Sequence, residues 1–486
     1  MNRLKLDTNI DRPDFDLVIE KTNNLNQDKG IPMSVTGLKA LNFWLDVSLT
    51  YITRYINILA GRNPDAFIDM TSRTDGANHV TNIISKYYYK NYNVDWIDGE
   101  FYTDKGYRTT KLSVLNRVKE LLEYQQLPTE MIDAMLLYQT HSYTRTNNMR
   151  YFKDAYILSD DSKDEIAYIH PILEMVSTGR LSTNSPNVQG WVNTVKKQIK
   201  APDGYKIISM DIAGQDAHIL VWGIMDNKSL KEGYLKYSDA YKAFLHAAGM
   251  PISKTLRKMV KVPVLALMNG MSYRGIQANL KDAYDNLSKD DRAEVDSHGG
   301  YQHIGSTIYN MVNNDSGYKR IVKAYSDLHQ DPNIMRKGLF GTKLPVRTSG
   351  SVRNQLKNGF FQVTAAEILV LSLMRMNSMI ENNLKNGYND MRLLVPIYDE
   401  VVFIVKDELV EQAKDMIENI MKPIVDDWAP FQGEIMVGQH YMDGESNKII
   451  TLNDLLKLDV NGSEVLLQDQ ETLKVCAKQI EPFLKV

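Results

Sequence analysis

The sequence predicts an α+β protein, and three observations carry that prediction. Helical apolar periodicity fills most of the first 150 residues, short β-branched runs appear only later, and two of those runs end on acidic residues. In Leu393-Leu394-Val395-Pro396-Ile397-Tyr398-Asp399-Glu400-Val401-Val402-Phe403-Ile404-Val405, two apolar runs flank a Tyr-Asp-Glu triplet. This reads as two buried strands joined by a tight turn with two carboxylates at its tip. Such a pair is either a solvated acidic turn or a pair facing a cation, because burying unpartnered charge costs several kcal/mol.

A second stretch, Tyr205 to Leu220, is again an apolar strand that ends on an acid, Asp211, and passes into a helical pattern. Asp211 and Asp399 can therefore converge on one sheet edge, where hard oxygen ligands suit magnesium better than zinc. Two such ions about 4 Å apart are the arrangement for in-line phosphoryl transfer.

Composition bounds the rest. A chain of 486 residues has room for two to four domains or subdomains. Its net charge of −3 and pI near 6.3 exclude a globally basic protein, so any nucleic-acid surface is a local patch among the 57 Lys and Arg residues. The single cysteine, Cys476, excludes an internal disulfide and a cysteine zinc site, which fits a reducing compartment. His298 and His303 flank a Gly-Gly loop without metal-ligand spacing. The N-terminus lacks the apolar core of a signal peptide, and no run approaches the ~18 uncharged apolar residues of a membrane span. The expectation is a cytoplasmic protein with no membrane contact.

Taken in order, residues 1 to 30 read as a loosely held polar lead-in. Helices are predicted from Leu38 to Leu59, Val80 to Tyr89, Lys111 to Gln125 and Met131 to Tyr143, with a turn at 103–110. The run Lys86-Tyr87-Tyr88-Tyr89-Lys90-Asn91-Tyr92 is either a half-buried tyrosine face or an aromatic and cationic nucleic-acid surface. Residues 177–190 form an uninterrupted polar loop whose Arg180, Asn187 and Gln189 can reach phosphate oxygens and minor-groove acceptors.

Asp239 to Ala248 reads as helix. Beyond it, Arg257, Lys261, Leu265 and Asn269 fall at successive i, i+4 positions. Two cations near a helix start oppose the macrodipole, so they are either a solvated face or a site for an anion such as a triphosphate. Pro263 predicts a bend or a helix start there. Further helices are expected over Lys281 to Asp296 and Tyr318 to His329, with Gly299 to Gly317 mixed between them. A hairpin turn follows at Gly338 to Lys343, then long helix from Gln355 to Met379, helix from Lys406 to Val425 and strand from Gly433 to Gly438. Residues 447–486 read as a small αβ tail.

Set together, these stretches resemble the family A DNA polymerases over about residues 175–446, with weaker similarity back to residue 55. The strand ending in an acid, with a second acid five residues on, matches Asp211 and Asp216; the Arg-x3-Lys helix followed by Gly matches Arg257, Lys261 and Gly270. The apolar-His-Asp-Glu-apolar motif matches Ile397 to Val402, the Thr-Gly-Arg-Leu-Ser…Pro-Asn-Leu-Gln segment matches Thr178 to Gln189, and Gln-Gly-Thr-Ala-Ala-Asp matches Gln362 to Glu367.

The resemblance implies a right-hand polymerase whose palm holds an antiparallel sheet, with helical fingers and thumb. Residues 1–150 would be lead-in and thumb, 151–235 and 346–446 the palm, 236–345 the fingers and 447–486 an extension of unassigned role. Asp211, the Ile212 carbonyl and Asp399 would hold two magnesium ions, with manganese as an alternative, and Glu400 would join the catalytic carboxylates. Arg257 and Lys261 would grip a deoxynucleoside triphosphate, Lys261 donating a proton to the leaving group. Asp216 would gate against ribose, with Tyr241, Leu265 and Asn269 completing the nucleotide site. Arg180, Asn187, Gln189, Asn358, Gln362 and Tyr398 would touch the primer-template.

This sequence departs from the family at several of these places. Asp216 replaces a Glu, Asn269 a Tyr, Leu265 an aromatic, and Tyr241 and Tyr398 each a His, while Pro263 sits inside the fingers helix. No proofreading domain fits ahead of the thumb and no second acidic cluster suggests an exonuclease site. A monomeric polymerase is expected, with proofreading or replisome functions left to other proteins. The compact size suggests a phage or mobile-element source, acting in a bacterial host cytoplasm. Two alternatives stay open: a single-subunit RNA polymerase, against which Asp216 argues, and a non-catalytic polymerase-like protein that binds primer-template.

Overall fold

The acidic hairpin folds because its two flanks satisfy each other. In the computed structural model, strands Met391–Ile397 and Glu400–Lys406 pair antiparallel, with a bulge between Leu393 and Val395. The structure describes residues 12–68, 75–102, 106–154, 165–328, 335–346, 352–420, 428–431, 433–442, 452–460 and 462–484. By contact, the chain divides into two compact units, the first formed by residues 1–31, 170–189 and 201–439, the second by 32–169, 190–200 and 440–486.

The first unit is built on a four-stranded antiparallel sheet in the order Gly433–Gly438, Tyr205–Ile212, Glu400–Lys406, Met391–Ile397. Every residue of Met391–Ile397 is buried, which explains a run without polar alternation. Leu393, Val401, Phe403 and Val405 share one core with Ile368, Leu369 and Leu373 of the long helix Val352–Asn383 and with Met416 and Ile417 of the helix Val410–Ile420. Part of that long helix, Asn358–Asn383, is apolar and long enough to cross a bilayer, but its apolar stretch is mostly buried within the protein. That burial is the signature of a core helix.

Between the first and last sheet strands lies a series of helices: Ala240–Ala247, Lys254–Met268, Tyr273–Asp285, Lys289–Ser297, Gly300–Asn314 and Ser316–Leu328. Two sequence expectations change here. The expected single helix over 281–296 is divided, because Ser288 caps a new helix by accepting from Asp291 N. The region expected to be mixed, 299–317, is mostly helix, with Ile304, Ile308 and Val312 buried. Pro263 neither starts nor ends its helix. That helix begins at Lys254, capped by Ser253 accepting from Leu256 N at 3.0 Å.

The lead-in is also firmer than expected. Phe15–Lys29 is a helix capped by Asp14, and its Phe15 and Val18 belong to the first unit's core. The loop at 177–190 is interrupted by a strand, Leu181–Asn184, which pairs with Ile172–Met175. The expected hairpin is present as Met335–Lys337 with Lys343–Pro345, and its turn is held by a buried acid. Glu367 accepts from Phe340 N at 3.0 Å and Thr342 N at 2.8 Å, and a Cβ on Gly338 would fall 2.2 Å from its Oε2.

The second unit gathers around the helix Val35–Leu59, against which Glu130–Tyr143 and Glu464–Leu484 pack. Of the tyrosine run, Tyr87 and Tyr88 are buried in this core while Tyr89 is exposed, so the half-buried face describes the first two. Of the tail expected to be αβ, the described residues form two helices, Leu452–Leu456 and Glu464–Leu484, with no strand among them. Leu466, Leu473 and Cys476 are part of the second unit's core. Arg54 Nη1 donates to Asp469 Oδ1 at 2.9 Å, and Gln470 Nε2 donates to Tyr51 Oη at 3.1 Å. The expected continuation of helix past Ile420, tail residues 447–451, and residues 103–105 of the expected turn lie outside the described residues.

Because Leu473 is fully buried, Leu473→Ala is expected to lower stability by about 2–5 kcal/mol. Leu467→Ala, at an exposed position of the same helix, should stay within about 0.5 kcal/mol. Urea denaturation of the two variants side by side checks this, and equal losses would contradict it.

Candidate active site

The sheet register brings the two strand-end acids together. Asp211 lies opposite Glu400 on one neighbouring strand and opposite Glu434 on the other, and Ile212 N donates to Asp399 O at 3.3 Å. Directly paired residues of an antiparallel ladder project from the same face, so Asp211, Glu400 and Glu434 share a face. The Asp211 carboxyl is held above its ordinary range, first by burial and then by the charges of Asp399 and Glu434, with Lys261 opposing. Crowding of like charge on one sheet edge costs stability unless a cation or donor joins it.

Tyr398, at the hairpin tip, is exposed and adopts φ +61. An aromatic residue in the left-handed region is uncommon, and the tight two-strand turn imposes it. Asp216 follows Asp211 on the short helix Gln215–His218, which Gln215 anchors by donating to Ala365 O at 3.1 Å. Burial raises the Asp216 pKa, Arg180 pulls it down and Asp399 raises it again. Arg180 Nη2 stands 3.9 Å from Asp216 Oδ2. Arg180, Asp216, Ala366, Leu369, Tyr398 and Asp399 line one small cleft.

Two cations of the helix Lys254–Met268 stand near this group. Lys261 acts electrostatically on Asp211, and both Arg257 and Lys261 lie over the Tyr241 ring, at 5.1 and 5.8 Å from its centroid. Tyr241 is buried, and its phenol is pushed up to about 12 by burial, then by Asp216. It therefore supports the cations from below. Asn269 caps its own helix, Nδ2 donating to Leu265 O at 2.9 Å, and Leu265 is half-buried against the core.

Among the residues expected to meet a duplex, Asn187 is exposed and Asn358 and Gln362 are half-buried on the long helix. Gln189 differs. It is buried, its Oε1 accepts from Thr183 N at 2.8 Å and Thr183 Oγ1 at 2.7 Å, and its Nε2 donates to Pro396 O at 2.6 Å. Both ends of its amide are spent tying the 181–189 segment to the strand that delivers Asp399, so it is a scaffold residue here. Sequence reading missed Asp239 and Glu434. Asp239 was visible as a helix cap, but Glu434 depended on a register that no local pattern reports.

Comparison with known proteins fits this geometry. The sequence profile of DNA polymerase family A matches residues 81–443. The chain belongs to DNA polymerase family A. The family A protein DNA polymerase I of Pseudomonas aeruginosa is 23% identical over 286 residues, covering 55% of this chain and 29% of that protein. DNA polymerase I of Aquifex aeolicus is 23% identical over 253 residues, covering 50% of this chain and 40% of that protein. The chain thus spans well under half the length of these relatives. The polymerase domain of Pol1 from M. smegmatis, solved in complex with DNA primer-template and dNTP, superposes with a TM-score of 0.62 at 15% identity, covering 87% of this chain and 70% of that one. The family A fold follows from this likeness, and none of these relatives bears on a phage or mobile-element source.

The raised Asp211 pKa gives a signed prediction. The folded chain binds this proton more tightly than the unfolded chain, so the group's effect on stability turns unfavourable as pH rises from its unfolded value through its raised folded value. At pH 7 in chelator, Asp211→Asn is expected to melt at a higher temperature than wild type, and the gap should close below about pH 3.9. A melting series over pH checks this; a lower melting temperature for the variant at pH 7 contradicts it.

Proposed function

We propose that this family A chain is a DNA-directed DNA polymerase that extends a primer on a DNA template with deoxynucleoside triphosphates. One observation carries the reading: Arg257 and Lys261 lie over the ring of Tyr241, which packs beside Gly214 between Asp211 and Asp216, so the cationic helix and the sheet acids serve one site. A triphosphate needs that pairing, with cations for its oxygens and carboxylates for the metal ions that travel with it.

The donor set fits a hard divalent ion. Asp211 and Asp399 offer carboxylate oxygens and Ile212 a backbone carbonyl, and among the described residues no cluster of three or more His, Cys, Asp or Glu forms a self-sufficient cage. Magnesium suits such a site, since it is held by one or two carboxylates plus substrate phosphates and water. When bound, magnesium, or manganese in its place, makes the primer 3′-hydroxyl more acidic and neutralises charge on the leaving pyrophosphate. The chain's own residues do the rest. Arg257 and Lys261 bind and orient the triphosphate, Lys261 holds the proton that the leaving group takes, and Glu400 adds to the negative field beside Asp399.

Asp216, steadied by Arg180, crowds the sugar edge; being one methylene shorter than the family's Glu, it excludes a 2′-hydroxyl less strictly. Tyr398, Asn187, Asn358, Gln362 and Arg180 contact the primer-template, and Gln189 supports them from the interior. In domain terms, 151–235 and 346–446 serve as palm, 236–345 as fingers and the N-terminal helices as thumb. The finer proposal is that these 486 residues themselves carry synthesis and hold no proofreading site, acting as a monomer in the cytoplasm.

The test is extension of a labelled primer on DNA with magnesium, with deoxynucleotides and ribonucleotides in parallel. Deoxynucleotide addition is expected, and Asp399→Asn should reduce it by at least ~10²-fold, the scale for loss of a group that stabilises transition-state charge. Ribonucleotide addition at an equal rate would favour the RNA polymerase alternative or an open gate at Asp216. No extension, with primer-template binding retained, would leave only a binding protein. A mismatched primer is expected to stay undegraded when nucleotides are withheld, and its shortening would remove the no-proofreading proposal.

A further inference from the structure

Asp239 joins two elements that the proposed chemistry needs in register. It stands at the junction between the helices Lys228–Tyr237 and Ala240–Ala247, directly after Ser238, which turns the chain through φ +51. Its two oxygens are divided. Oδ1 caps the second helix by accepting from Lys242 N at 2.9 Å, and Oδ2 accepts from Arg257 Nε at 2.6 Å. A carboxylate pinned by its own helix cap cannot follow a moving partner, so the guanidinium is held where the cap puts it.

The consequence lies in which edge of Arg257 remains open. A guanidinium presents two fork edges to an anion, one through Nε and one Nη, the other through both Nη groups. Asp239 occupies Nε, the Tyr241 ring lies beneath the plane at 5.1 Å, and the Nη groups make no hydrogen bond among the described residues. The end-on fork is thereby left free of Asp239, with the ring as its floor, on a side chain that is 36% exposed. Lys261 shares that floor at 5.8 Å and forms no ion pair among the described residues.

We propose that Asp239 is a positioning residue for triphosphate binding, fixing Arg257 through Nε so that its paired Nη groups meet phosphate oxygens in one orientation. The inference rests on the nucleotide-binding reading of Arg257 and Lys261, and it adds a residue that touches no substrate. A fixed fork loses less side-chain freedom when the anion arrives than a free one would. The negative charge of Asp239 near an anion is the cost of that order.

The test uses the full chain and equilibrium calorimetry with one deoxynucleoside triphosphate, dTTP, in calcium, alongside primer extension in magnesium. Asp239→Asn keeps a cap acceptor for Lys242 N, so the fold should survive, as an unchanged melting temperature would show. In this variant dTTP affinity is expected to fall about tenfold, and in extension the KM for dTTP should rise by a similar factor while kcat changes less. In an Arg257→Ala background the same substitution should have no further effect, because the residue through which it acts is gone. Unchanged or tighter dTTP binding in Asp239→Asn would overturn the proposal, as would a full additional loss in the Arg257→Ala background. Failure of wild type to extend a primer while still binding dTTP would remove the polymerase reading and leave the role of Asp239 in binding to be judged by calorimetry.

Discussion

The structure of the first unit depends on one antiparallel pairing, that of Tyr205–Ile212 with Glu400–Lys406. Its register sets Asp211 opposite Glu400 and lets Ile212 N reach Asp399 O. A slip of one residue would turn Asp211 to the other face and bury Ile212's neighbours in the wrong sense. The apolar face prevents that slip, since Ile208, Met210 and Ile212 are all buried on this strand. Hydrophobic burial therefore fixes the geometry of the charges.

The second layer of organisation is how the sheet acids are held in place from outside the sheet. Gln189 grips the strand before Tyr398, Gln215 grips the long helix through Ala365, and Glu367 fixes the 338–342 turn. Each is a buried polar side chain with backbone partners, and each joins segments far apart in sequence. Such bonds contribute modestly in net stability, roughly 1 kcal/mol each, but losing one partner leaves an unsatisfied buried group. They act as registration points around an edge where carboxylates crowd together. That crowding is a standing instability of the kind that functional sites retain.

Much of the architecture was legible in the amino-acid order. The strand-end acids, the stripe Arg257–Lys261–Leu265–Asn269 and the long apolar helix each follow local periodicity. The helix over 300–314 was less legible because its buried positions, Ile304, Ile308 and Val312, are separated by polar and glycine residues that dilute the pattern. Pro263 lies inside its helix, which removes the helix start from the two readings it offered. Its ring removes one hydrogen bond, but the helix is nucleated upstream at Ser253 and its apolar face is buried, so packing outweighs the local cost.

By itself the sequence determined the chemical inventory: two strand-end aspartates, a cationic helix, a further aspartate five residues after the first, and elements of the kinds that hold them. The tertiary structure alone decided who meets whom. It placed Glu434 across from Asp211, gave Asp239 to Arg257, withdrew Gln189 into the interior and returned the C-terminal helix to the core of the second unit. The physical reason is that periodicity reports burial of a face, whereas partnership between side chains depends on strand register, helix-cap geometry and long-range closure. A cap is a local signal, but register and long-range closure are not encoded in any window of neighbouring residues.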